Sequence, residues 1–176
     1  MGFNNENVKW TEVSAAGSSS MLPAGGYVAV ITDVEDFDAN KYLLFTYDIA
    51  EGERKGFFET DDRKYVHQFR RYYTEKSQGF MKKFLECIEG SNADFNLEGW
   101  KPDFNDLKGK LVGIVVQRED YTNQSGEDRA RMNVEDFAKA EDIRNGRFKL
   151  PEPKDTRAEK AAQADGGSVY DADIPF

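Results

Sequence analysis

A chain of 176 residues has room for one domain with appendages, or for two small ones. Its composition, 39% hydrophobic and 32% charged, contains no run of 18 apolar residues and so excludes a membrane-spanning helix. A net charge of −9 argues against a uniformly basic surface, and a single cysteine (Cys87) excludes an internal disulfide and fits a reducing compartment such as a cytoplasm.

The first 22 residues are polar and read as a flexible arm, with one short alternating stretch at residues 8–13. They carry no basic region followed by an apolar run, so no secretory signal is expected there. Leu22-Pro23-Ala24-Gly25-Gly26 is a turn cluster that opens an ordered domain predicted over residues 23–150.

Residues 26–35 are predicted as a first strand and 41–50 as a second. The second alternates Leu43, Phe45, Tyr47 and Ile49 on one face with Tyr42, Leu44, Thr46 and Asp48 on the other, and the first set is expected inside. After a turn at 51–53, residues 55–60 read as a third strand. Residues 63–73 fit strand, loop or irregular helix equally. A helix is predicted over 77–89, with Phe80, Phe84 and Ile88 spaced at four, Met81 and Leu85 joining the stripe, and Gly90 as terminator. Phe95, Leu97, Trp100 and Phe104 are expected to pin the polar connection that follows. Strands at 111–117 and 129–137 flank a hairpin loop at 121–126. Residues 139–150 close the domain irregularly, and Pro151 and Pro153 open a disordered acidic tail over 151–176.

Three strands, a helix and two strands is the order of an OB-fold. The expected class is therefore all-β, or β-rich α+β: a five-stranded barrel with one helix between strands three and four, a flexible N-terminal arm and a C-terminal tail.

The charges are segregated. Between positions 63 and 83 stand seven cations (Arg63, Lys64, Arg70, Arg71, Lys76, Lys82, Lys83) and one acid, Glu75. Such a patch sets the field over a Debye length of roughly 8–10 Å, whatever the molecule's sum. Tyr65, Phe69, Tyr72, Tyr73 and Phe80 interleave with these cations. A cationic groove beside open ring faces is what single-stranded nucleic acid needs, and it reads any sequence because every base stacks. Phe69 and Phe80 are expected in the core. Tyr72 and Tyr73 are adjacent, so one of them should be exposed. Arg129 and Arg131 alternate onto the face opposite Met132 and Val134, and with Tyr121 and Arg118 they are secondary candidates.

Other chemistries find no pattern. His67 has no nucleophile and orienter at triad spacing and reads as filler. With one histidine and one cysteine no zinc site is available, and acid pairs such as Asp61-Asp62 lack further ligand spacing. No phosphate-loop motif follows the paired glycines, so neither cofactor, metal nor enzymatic activity is expected.

The last residues, Asp171-Ala172-Asp173-Ile174-Pro175-Phe176, put acids and a terminal Phe behind a Pro on a tether, which is how a peptide end is captured by a partner's basic-rimmed pocket. The tip resembles the ending of bacterial single-stranded DNA-binding proteins, with Ala172 interrupting the acidic run. Asp171, Asp173, Ile174, Pro175 and Phe176 are the partner-binding candidates.

The body resembles a family of single-stranded DNA-binding proteins of phages and prophages of Gram-positive hosts. The resemblance rests on Leu22-Pro23-Ala24-Gly25-Gly26-Tyr27, on Tyr47-Asp48-Ile49-Ala50-Glu51-Gly52-Glu53 with Lys55-Gly56-Phe57, on Arg71-x-Tyr73-x-Glu75-Lys76, and on Leu107-Lys108-Gly109-Lys110-Leu111-Val112-Gly113. Residues 61–68 depart from that pattern. The resemblance implies an OB-fold, a role in phage DNA replication, recombination or repair, and tail-borne recruitment of replication and recombination proteins. It makes Arg71, Tyr73 and Lys76 the leading DNA contacts. Single-stranded DNA is thus the expected partner, with no membrane and with homo-oligomerisation open. The rival expectation is a protein-interaction module whose tail occupies a host's pockets without binding DNA.

Overall fold

The computed structural model describes residues 21–157. Residues 1–20 of the N-terminal arm, with its stretch at 8–13, and the peptide at 171–176 lie outside the described residues; Leu22, expected at the end of that arm, is instead buried in the core.

Strands β1 (Gly25–Phe37), β2 (Tyr42–Ile49), β3 (Gln68–Tyr72), β4 (Leu111–Thr122) and β5 (Asp128–Ala138) lie side by side in the order β3-β2-β1-β4-β5, each antiparallel to its neighbours. A two-residue strand, β6 (Lys154–Asp155), runs parallel to β4 beyond the start of β1. One main helix, α1 (Gln78–Ser91), and a short one, α2 (Ala140–Arg144), complete a β-rich α+β domain.

Period-two alternation on β2 dictates which side meets the core. Leu43, Phe45, Tyr47 and Ile49 are all buried, together with Ile31, Val112, Ile114 and Val116 from β1 and β4. Each such side chain contributes about 1.5–3 kcal/mol when removed from water.

The sheet is unclosed: β3 and β5 end it, with no backbone pairing between them. Side chains span the gap. The rings of Phe69 (β3) and Phe137 (β5) lie 4.9 Å apart, and Phe84 of α1 sits 5.6 Å from the first and 4.7 Å from the second. Helix α1 therefore bridges the two edge strands with one buried aromatic cluster.

Three expectations are corrected. Residues 55–60 are not a strand. Turn bonds run through them (Lys55 N to Gly52 O, Phe57 N to Arg54 O, Glu59 N to Gly56 O), and Gly52 and Gly56 take φ values of +84° and +74° that most residues resist. Asp48 Oδ1 accepts from the Phe58 amide and holds this turn against β2. The third strand is β3, inside the ambiguous stretch. On α1 the buried stripe is Met81, Phe84, Cys87 and Ile88, while Phe80 is 68% exposed. The stripe that fits the gap between Phe69 and Phe137 is centred on Phe84, and Phe80, one turn earlier, falls outside it. Gly90 does not end the helix, which runs on to Ser91. A Cβ at position 90 would lie 2.7 Å from the Lys139 side chain, so this glycine permits a close approach rather than a stop.

The connection after α1 is pinned as expected by Phe95, buried, and by Leu97, Trp100 and Phe104 packed against the core. The ordered chain also continues past Leu150: Gln117 Nε2 donates to Pro151 O (2.6 Å) and Thr156 N to Asp120 O (2.9 Å). Cys87 is buried, and desolvation raises its thiol pKa, as for an inert core thiol.

Candidate nucleic-acid interface

Register places the candidates. The β2–β3 pairing sets Tyr42 opposite Tyr72, Leu44 opposite Arg70 and Thr46 opposite Gln68, on the side away from Phe45 and Phe69. On the other flank of β2, Phe37 stands opposite Tyr42 and Glu35 opposite Leu44. Residues opposed across antiparallel strands share a face, so this pattern builds a row of three rings across three strands. Phe37 and Tyr42 stack at 4.9 Å with planes 17° apart, and Tyr42 and Tyr72 meet at 5.4 Å. The Arg70 guanidinium lies over the Tyr42 ring, 4.7 Å from its centroid. All three rings are half-buried and held in place by their neighbours. A fixed ring with one open face stacks a base at little entropic cost.

Phe37, Tyr42 and Leu44 were not among the sequence candidates. The missing signal was available: Tyr42 alternates onto the face away from Leu43 and Phe45, and an aromatic on a polar face is a surface ring.

The leading candidates fare differently. Arg71 points inward, opposite Leu43. Its guanidinium lies 4.9 Å from the Phe137 centroid and 5.7 Å from that of Phe84, and its Nη2 donates to Phe80 O at 3.2 Å. Burial disfavours its charge, and its Nε finds no partner among the described residues. Arg71 is thus packed into the seam between β3 and β5. The Tyr73 hydroxyl donates to Asp36 (2.8 Å) and Asp38 (3.2 Å), and desolvation together with those carboxylates pushes its pKa up. It ties β3 to the β1–β2 turn. Lys76 is exposed on the single 3-10 turn Glu75–Ser77 before α1.

Of the remaining residues, Tyr65 is 74% exposed and Lys64 is exposed beside it. Arg63 is held by both oxygens of Asp61, through Nε (3.0 Å) and Nη2 (2.9 Å), and the hydrogen bonds from Arg63 hold the Asp61 carboxyl down at about 2.

A second group sits on the β4–β5 hairpin. Register puts Glu119 opposite Arg131 and Tyr121 opposite Arg129, with Arg118 opposite Met132 on the reverse face. The four hairpin candidates therefore do not share one surface. Arg131 lies 4.4 Å from the Tyr121 centroid and donates to Glu119, which is only 8% exposed and also accepts from Asn133. Arg118 pairs with Asp120 and Arg129 with Glu127. The hairpin's arginines are already neutralised by neighbouring acids.

No protein-family model matches this chain, and no curated protein matches it. The chain's own geometry carries the functional reading.

Proposed function

We propose that this protein binds single-stranded DNA with little sequence preference, coating it during phage DNA replication, recombination or repair, and that its C-terminal tip recruits partner proteins. The observation that carries the reading is the row Phe37–Tyr42–Tyr72 with Arg70 over Tyr42: stacking faces and a cation on one side of β1, β2 and β3. The strand order, with a helix between β3 and β4, supports an OB-type barrel parted between β3 and β5. In such barrels the β2–β3 face and the β1–β2 and β4–β5 loops border the oligonucleotide site. No catalytic constellation enters this reading.

The test is fluorescence anisotropy with labelled oligo-dT and a matched duplex at two salt concentrations. Tighter binding to the single strand, weakening as salt rises, supports the proposal. Preference for duplex, or affinity indifferent to salt, defeats it. For the tip, deleting residues 174–176 is expected to abolish capture of replication partners while leaving DNA affinity equal or higher.

One observation favours the rival reading of a protein-interaction module. Arg63, Arg118, Arg129 and Arg131 are each paired with an acid, which leaves fewer uncommitted cations than the sequence suggests. Oligo-dT binding separates the two readings.

A further inference from the structure

Below the aromatic row, on the same side of the sheet, lies an open hollow of about 500 Å³ lined by Asp33, Asp48, Glu59, Asp61, Asp62 and Lys64, with Thr46, Phe58 and His67 in its walls. Five carboxylates against one lysine make it a poor seat for phosphate.

His67 singles the hollow out. It is 8% exposed and stacks flat on Phe58, with ring centroids 4.7 Å apart and planes 8° apart. Its Nδ1 lies 2.6 Å from Tyr47 O, and a carbonyl only accepts, so Nδ1 carries a proton. In the neutral ring Nε2 then carries a lone pair, and it is buried with no partner among the described residues. A buried acceptor left unmade is unfavourable, and a donor presented from the hollow would satisfy it. The acids are unevenly committed. Asp61 is taken by Arg63 and Asp33 by Lys108, while the carboxylates of Glu59 and Asp62 have no ion-pair or hydrogen-bond partner among the described residues. No three acid, histidine or cysteine side chains among the described residues converge as metal ligands would. A fitting occupant would be a cation larger than a bare ion, planar enough to lie by the Phe58 and His67 rings and rich in N–H donors.

We propose that this hollow receives an arginine side chain presented by a partner protein. The guanidinium would donate to His67 Nε2 and to the Asp62 and Glu59 carboxylates, and it would lie against aromatic walls. The proposal is independent of DNA binding: the acids that attract an arginine repel a phosphate backbone, so the hollow bounds the ring row rather than extending it.

The test is an NMR titration of the full chain, following the His67 imidazole, with N-acetyl-arginine amide and with its neutral isostere N-acetyl-citrulline amide. Saturable shifts of the His67 resonances by the arginine probe alone are expected. The exposed substitutions Asp62→Asn and Glu59→Gln together should weaken it about tenfold or more, since both charged acceptors are removed. No saturable shift at His67, equal binding of citrulline, or unchanged affinity in the folded double variant overturns the proposal.

Discussion

The guanidinium of Arg70 covers the ring of Tyr42 at 4.7 Å, although 28 positions separate them in the chain and both residues sit on the face of the sheet away from the core. The contact holds a charge beside a stacking surface. Loss of the ring should therefore be felt in DNA affinity far more than in stability. Tyr42→Ala is expected to weaken oligo-dT binding by about 1–3 kcal/mol, or roughly 5- to 150-fold, with the salt slope kept. Arg70→Gln should instead flatten the slope by about 0.7, one phosphate contact on a single strand. Anisotropy across a salt series reads both, and a Tyr42→Ala variant that binds as tightly as the parent contradicts the interface.

Arg131 and Arg129 differ in what they leave behind. Arg131 neutralises Glu119, which is buried, whereas Arg129 and Glu127 are both exposed. Arg131→Ala should cost about 1–3 kcal/mol, because a buried carboxylate loses its charged partner. Arg129→Ala should cost about 0–1 kcal/mol. Urea denaturation of the two variants checks the ordering.

Two glycines offer a second contrast. A Cβ at position 113 would sit 2.6 Å from the backbone oxygen of Ala138 and 2.7 Å from Ile143 Cγ1. The obstacle includes backbone paired with β4, so Gly113→Ala should destabilise by about 1–3 kcal/mol. At position 90 the obstacle is the aliphatic chain of Lys139, whose end lies free to shift, and alanine gains about 1 kcal/mol of helix propensity over glycine. Gly90→Ala should fall within about 1 kcal/mol of the parent. Equal losses at the two sites would contradict the packing around β4 and β5.

Asp61 titrates low because the Arg63 side chain and then its amide hydrogen-bond the carboxylate, holding it at about 2 against a usual 3.8. A folded value below the unfolded one means a contribution that is complete above pH 4 and lost as pH falls through about 2. Arg63→Gln should return the Asp61 carboxyl most of the way to 3.8, followed by carboxyl ¹³C shifts. If it stays near 2, the backbone amide of residue 63 rather than the guanidinium holds it down.

Some of this was readable from order alone. The inward set Leu43, Phe45, Tyr47 and Ile49, a helix near residues 77–89, the pinned connection after it and two strands about a hairpin near 123 follow from local periodicity, because alternation and helical repeat are properties of neighbours in sequence. The crowding of seven cations between 63 and 83 is likewise a matter of counting. Register between distant segments decided the rest. Arg71 turned inward because it pairs with Leu43, and Phe80 stayed exposed because it lies one helical turn before Phe84, which fills the gap between Phe69 and Phe137. Phe37, Tyr42 and Tyr72 became one surface because β1, β2 and β3 align there, and His67 came to stack on Phe58 with its Nε2 unpartnered among the described residues. A side chain's face is a local matter, but what stands opposite it depends on strands brought together across tens of residues, and only the folded chain makes that pairing.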